Sequence, residues 1–325
     1  MAVYTKVSEE ELRDFLEGYD LGQLASFEGI EEGVENTNYH LFTTKGRYIL
    51  TLFEKRVNPS DLPFFFAFTD HLTDAGIKCP GALPDKNGKN IGELCSRPAA
   101  VISFLEGEGL EIADITADHC RQLGREAGRM HEAAAGFNMS RKNSVGLPMW
   151  KELAKKAAGR ADEVEKGLAD LISGELEYLE NNWPSGLPEA AVHADIFPDN
   201  VFFKDGKISG FIDFYFTATE YLAYDLALVI NAWCFDTGNS FVRERFEALM
   251  NSYEAVRSLN DKEIKNLSVL CRGAAMRILI TRLHDWLYHP PDAIAKPKDP
   301  REYIEKLLFH QNDGLPEPDG REATG

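Results

Sequence analysis

Positive charge is in short supply in this 325-residue chain: 35 Lys and Arg stand against 53 Asp and Glu, a net charge of −18 with histidine neutral. A surface that negative repels phosphate backbones and anionic lipids, which excludes nucleic acid and membrane surfaces as partners. Small anions are not excluded, because backbone N–H groups and a bound metal ion offset the field locally. Cysteine is sparse as well. Cys79, Cys95, Cys120, Cys234 and Cys271 are odd in number and never at zinc-like or redox-like spacing, as expected of reduced thiols in a cytoplasmic protein. Long apolar runs are missing. The longest, near Leu226–Phe235, is broken by Asn231 and too short for a bilayer. The first residues run into Glu9, Glu10 and Glu11 with no apolar stretch of signal-peptide length. No internal repeat is visible. With 44% hydrophobic residues, the composition is that of a globular chain with a filled core.

Periodicity divides the chain into a β-rich first third and a helix-rich remainder. Ser8 and Glu11 have the spacing of a capping box opening a short helix. Extended segments follow at Gln23–Ile30, Thr37–Thr44 and Arg47–Phe53, the last two joined by a tight Lys45-Gly46 turn. A helix is expected from Ser60 to Ala75, then a hairpin at Asn87-Gly88 and a strand at Ala99–Leu105. Further helices are expected at Thr116–Ala135, Lys151–Asn182, Leu222–Phe235, Ser240–Ser258 and Asp261–Tyr288. Two β segments, Ala190–Phe203 and Ile208–Phe214, interrupt them. The pattern is α+β. It implies a β-rich lobe over residues 1–106, a helical lobe over 107–311, a hinge near Glu106–Gly109, and a disordered tail over 312–325.

The chemistry concentrates between His193 and Phe214. Asp195 opens a loop where a carboxylate can accept or orient a hydroxyl proton. Asn200, five residues on, offers a neutral oxygen, and Asp213, leaving an apolar strand one hairpin later, offers a charged one. Hard oxygen donors of this kind suit magnesium, with phosphates and water completing the shell. The competing explanation is that Asp195 and Asn200 satisfy turn geometry and Asp213 caps a helix. Three such groups in one short stretch favour phosphoryl transfer.

The His193-x-Asp195-x-x-x-x-Asn200 pattern with Ile212-Asp213-Phe214 resembles the Brenner motif of the aminoglycoside phosphotransferase and choline kinase superfamily, itself similar to the catalytic-loop and metal-binding motifs of protein kinases. Tyr224-Asp225 and Ala227 fit the same superfamily. The blocks Gly33–Tyr39, Tyr48–Glu54, Leu62–Phe65 and Arg282–Asp285 resemble the protein-kinase-like type of homoserine kinase over nearly the whole chain. The resemblance implies a two-lobed protein-kinase-like fold, with a small antiparallel β-sheet lobe and a larger, mainly helical one. It makes residues 1–106 the nucleotide-binding lobe and residues 107–311 the catalytic and substrate lobe. It makes Asp195 the catalytic base and Asn200 and Asp213 the magnesium ligands, with His193 and Asp225 as structural support. The turn carrying Gly33, Asn36, Thr37 and Asn38 would cover the ATP phosphates, and Phe104 and Leu105 would meet adenine. Asn36 and Asn38 contact substrate or merely shape that turn.

Two residues of the wider kinase pattern are missing together. Thr51 stands where a strand lysine is expected, and Ser60–Ala75 contains no glutamate to pair with one. A joint loss leaves no unpaired buried charge. Lys55, Arg56 or magnesium would then neutralise the phosphates, although a solvated strand end explains the two basic residues as well. On the Thr281–His289 helix, Arg282 and Asp285 share a face and are candidates for the carboxylate and ammonium of a zwitterion; a local Arg–Asp pair is the plainer alternative. The implied reaction is ATP-dependent phosphorylation of the L-homoserine hydroxyl. Rival expectations are another small-alcohol kinase, acting on an aminoglycoside, choline or a methylthio-sugar, and a non-catalytic nucleotide-binding module.

Overall fold

The computed structural model describes residues 5–30, 36–54, 57–289 and 297–316. Among these the chain divides after Glu106 into two compact units.

In the first unit, α1 (Glu9–Glu17) opens on the expected capping box. The Glu11 N–H donates to Ser8 Oγ at 3.2 Å, and the Ser8 N–H to the Glu11 carboxylate at 3.0 Å. Five antiparallel strands follow: β1 (Leu24–Gly29), β2 (Thr37–Thr43), β3 (Gly46–Leu52), β4 (Gly92–Leu94) and β5 (Arg97–Ser103), ordered β1-β2-β3-β5-β4. Alternation along β2 and β3 sends Tyr39, Leu41, Leu50 and Leu52 into a core with Leu12 and Leu16 of α1. Helix α2 (Leu62–Asp74) buries Phe64, Phe65, Phe66, Phe68 and Leu72. The Asn87-Gly88 segment is not a hairpin turn. Asp85 Oδ1 accepts the N–H groups of Asn87 and Lys89, both at 2.8 Å, making a side-chain-closed loop. The β4–β5 hairpin turns instead at Cys95-Ser96, both at positive φ.

The second unit contains α3 (Ala117–Ala134), α4 (Leu147–Ala157), α5 (Leu168–Asn182), β6 (Glu189–Val192), β7 (Val201–Lys204), β8 (Lys207–Phe211), β9 (Ala218–Tyr221), α6 (Leu222–Trp233), α7 (Arg243–Glu254), α8 (Asp261–Leu287) and α9 (Arg301–Asn312). The single long helix expected over Lys151–Asn182 is two helices, separated by a 3-10 turn at Ala161–Glu163 and by Gly167 at φ +86°. The strands form two ribbons, β6 with β9 and β7 with β8. β9 and α9 were not expected from the sequence. Four residues of β9 show no usable alternation, and α9 earns its place by tertiary contact, burying Tyr303, Ile304, Lys306, Leu307 and His310.

Helices α3 and α7 approach closely because α3 carries Gly124 and Gly128. A Cβ at Gly124 would sit 2.1 Å from the Leu249 carbonyl oxygen, inside any allowed contact. One turn beyond Gly128, that approach brings His131 within 2.7 Å of the Tyr253 hydroxyl.

Candidate active site

Strand β6 delivers the chain to His193, Ala194 and Asp195. His193 is fully buried, and burial pushes its imidazole below the usual histidine range. Its Nδ1 accepts the Asp195 N–H at 3.2 Å, which makes Nε2 the protonated nitrogen, donating to the Ile212 carbonyl at 2.9 Å. The Ile212 N–H donates in turn to the Asn200 carbonyl at 3.0 Å. The residue before Asp213 is therefore fastened to both ends of the loop holding Asp195 and Asn200. His193 thus bonds to the backbone on both sides of the loop.

Asn200 donates through Nδ2 to the Asp195 carbonyl at 2.8 Å and to Asp195 Oδ2 at 3.0 Å. The amide nitrogen is thus turned inward and its oxygen faces away, the orientation a cation ligand needs. Asp213 is exposed, in the left-handed region at φ 64° and ψ 62°, just ahead of the 3-10 turn Phe214–Phe216. Among the described residues no group of three or more His, Cys, Asp or Glu side chains could hold a metal by itself. A carboxylate and an amide oxygen are hard donors of the type magnesium takes, with phosphate and water completing its shell.

Ala194, with φ +62°, occupies a conformation that costs a non-glycine residue roughly 1–2 kcal/mol. Two buried charged side chains hold it there. Its N–H donates to Asp225 Oδ1 at 2.7 Å, and its carbonyl accepts from Arg277 Nη1 at 2.6 Å. Behind Asp225 runs a buried polar chain. Asp225 Oδ2 meets His131 Nε2 at 3.0 Å, His131 Nδ1 meets the Tyr253 hydroxyl, and Arg257 donates to that hydroxyl at 3.0 Å and to Glu263 at 2.7 Å. The four residues that continue this chain from Asp225 were not picked out by sequence reasoning. Arg277 was missed too, although a lone charge in the apolar run Gly273–Ile280 was a legible sign.

On the sheet unit, Gly33, Lys55 and Arg56 lie outside the described residues. Asn36 is buried, its Oδ1 accepting the Glu54 N–H at 3.3 Å, and the Thr37 hydroxyl donates to Glu54 Oε1 at 2.8 Å. Glu54 also pairs with Arg97 at 3.1 Å. Asn38 accepts from the Thr51 hydroxyl at 2.8 Å, so a neutral pair spans β2 and β3 where the wider pattern has a lysine. Arg47 stacks over the Phe104 ring at 3.8 Å, and Leu105 follows, half-buried.

On α8, Arg282 pairs with Glu302 of α9 at 2.5 Å and lies over the Tyr303 ring at 4.6 Å. The local Arg282–Asp285 pair is thereby replaced by a longer-range one. Asp285 is exposed, with His284 at 3.6 Å.

A model of the phosphotransferase enzyme family matches residues 26–259. The chain belongs to the phosphotransferase enzyme family. Two curated relatives are the homoserine kinases of Sinorhizobium medicae, 50% identical over 311 residues covering 96% of this chain and 95% of that protein, and of Xanthobacter autotrophicus, 51% identical over 96% of each. Among solved structures, an amicoumacin kinase in complex with AMP-PNP, Ca2+ and Ami superposes with a TM-score of 0.72 at 14% identity, covering 96% of each chain. The family fold is protein-kinase-like, a five-stranded antiparallel sheet followed by a mainly helical region, as expected from the sequence. No described helix is long and apolar enough to cross a membrane.

Proposed function

We propose that this phosphotransferase is a homoserine kinase, converting ATP and L-homoserine to ADP and O-phospho-L-homoserine, a step towards threonine. The observation that carries the reading is identity of about half, sustained over nearly the full length of both chains, with homoserine kinases. The loop geometry supports the chemistry. Asp195 accepts the proton of the acceptor hydroxyl as its oxygen bonds to the γ-phosphorus, and the bond from that phosphorus to the bridging oxygen breaks with the electron pair leaving on ADP. Asn200 Oδ1 and the Asp213 carboxylate are the proposed magnesium ligands. Magnesium, when bound, supplies charge neutralisation at the phosphates. Asn36, Thr37 and Asn38, with Gly33, are proposed to border the nucleotide phosphates, and Phe104 and Leu105 the adenine. For the zwitterion, Arg282 is proposed towards the carboxylate, which competes with Glu302 for it, and Asp285 towards the ammonium. A reducing, cytoplasmic setting is supported by the five free thiols. Turnover measured with homoserine, serine, choline and an aminoglycoside tests the reading. Preference for homoserine by at least about tenfold in kcat/KM is expected, and a better rate with another acceptor overturns it.

A further inference from the structure

We propose that Arg277 is a positioning residue for phosphoryl transfer, holding the Ala194 peptide and the Asp195 carboxylate in working orientation. Arg277 is 3% exposed on α8, with its guanidinium carbon 5.4 Å from the Phe216 ring centre. A buried guanidinium needs a partner, and among the described residues its one ion-pair contact is Asp195, with Nη2 3.7 Å from Oδ1. Its short bond goes to the carbonyl of Ala194, one residue earlier. The division of labour is chemical. Nη1 fixes the peptide on which Asp195 turns. Nη2 attracts the carboxylate from beyond hydrogen-bond range, steering Oδ1 by charge rather than by a donated bond. Asn200 holds Oδ2 from the other side. The carboxylate is thus centred between a donor and a positive charge carried by different elements.

A guanidinium committed to the catalytic loop does not serve as a clamp for the acceptor's own carboxylate, and this separates the inference from a substrate-binding role. The inference rests on the homoserine kinase reading only for the choice of acceptor. The test uses the full chain with magnesium, ATP and homoserine, comparing R277K, R277M and R277A, each checked for folding by its thermal midpoint. R277M is expected to lose about 100-fold in kcat, with KM for either substrate within about threefold of wild type. R277K restores the charge but holds only one of the two groups, and is expected to lose about tenfold. Guanidinium added to R277A is expected to recover part of kcat. Unchanged kcat in R277K and R277M overturns the proposal, as does a raised KM for homoserine at unchanged kcat, which would make Arg277 a substrate clamp. If R277M and R277A do not fold, R277K alone decides on the same split. Failure of the homoserine reading shows separately, as wild-type protein that ignores homoserine but turns over another acceptor; the series is then run with that acceptor.

Discussion

A carboxylate directs a proton only if something directs the carboxylate. Asp195 has its backbone N–H on His193, its Oδ2 on Asn200 and a guanidinium beyond its Oδ1. Asp195→Asn keeps the shape and removes the proposed proton acceptor. It is expected to lower kcat by about two to four orders of magnitude while leaving ATP affinity nearly intact, measured by steady-state kinetics beside equilibrium nucleotide binding. Asp213→Ala is expected instead to weaken magnesium-dependent nucleotide binding, read from a magnesium titration at fixed ATP; an unaltered titration would remove Asp213 from the metal site. As candidates, Asp195, Asn200 and Asp213 were legible because each carries an oxygen donor and the three fall within one short stretch. Arg277 showed only as a lone charge in an apolar run, which marks a buried partner without naming it until the fold brings α8 against the loop after β6. The site expected near Arg282 shows the same limit: helical spacing placed Asp285 beside it, whereas the tertiary partner is Glu302.

Helices reach the site through their packing. The Gly124 and Gly128 approach of α3 to α7 sets the His131–Tyr253 bond, and through Asp225 that bond reaches the Ala194 peptide. Gly124→Ala is expected to destabilise the fold by about 2–3 kcal/mol, because the Leu249 carbonyl leaves no room for a methyl group; chemical denaturation measures it. Helix α9 carries a pH dependence. His310 Nε2 bonds Asn231 Oδ1 at 2.6 Å, Nδ1 is buried with no hydrogen-bond partner, and burial with nearby Arg272 and Lys306 lowers the imidazole to about 3. Above about pH 6.5 both folded and unfolded chains hold it neutral, so its contribution to stability is level there. Below that, the unfolded chain takes up a proton the folded chain refuses, and stability falls by about 1.4 kcal/mol per pH unit. His310→Gln is expected to flatten thermal stability between pH 7 and pH 5, and an unchanged slope would sink the assignment. The long helices and the first three strands were readable because periodicity persists over many residues. α9 is held by buried Lys306, which donates to the Asn231 carbonyl, and by His310, polar groups that read as a solvated face until α6 and α8 are placed against them.

Across the whole molecule the excess of acid acts on a polyanionic nucleotide. A net charge of −18 opposes its approach, and salt screens that opposition over a Debye length of about 8–10 Å. Raising NaCl from low concentration to about 0.15 M, at constant free magnesium, is therefore expected to lower the KM for ATP by about twofold. A KM that rises with salt would mean a locally positive entry that outweighs the global field. The α+β division and the protein-kinase-like lineage were legible from the order of β-rich and helical segments together with the motif blocks. The pairing of β6 with β9 was not, since it joins residues on either side of the β7–β8 hairpin and leaves no local signature.

The Thr51–Asn38 pair has a practical consequence for chemical probes. Acylating nucleotide analogues that tag kinases do so by capturing the strand lysine's amine, and position 51 here presents a hydroxyl already donating to an amide. Proteome-wide labelling by such reagents at that position would pass over this enzyme, and a covalent inhibitor for it would have to begin from a different nucleophile.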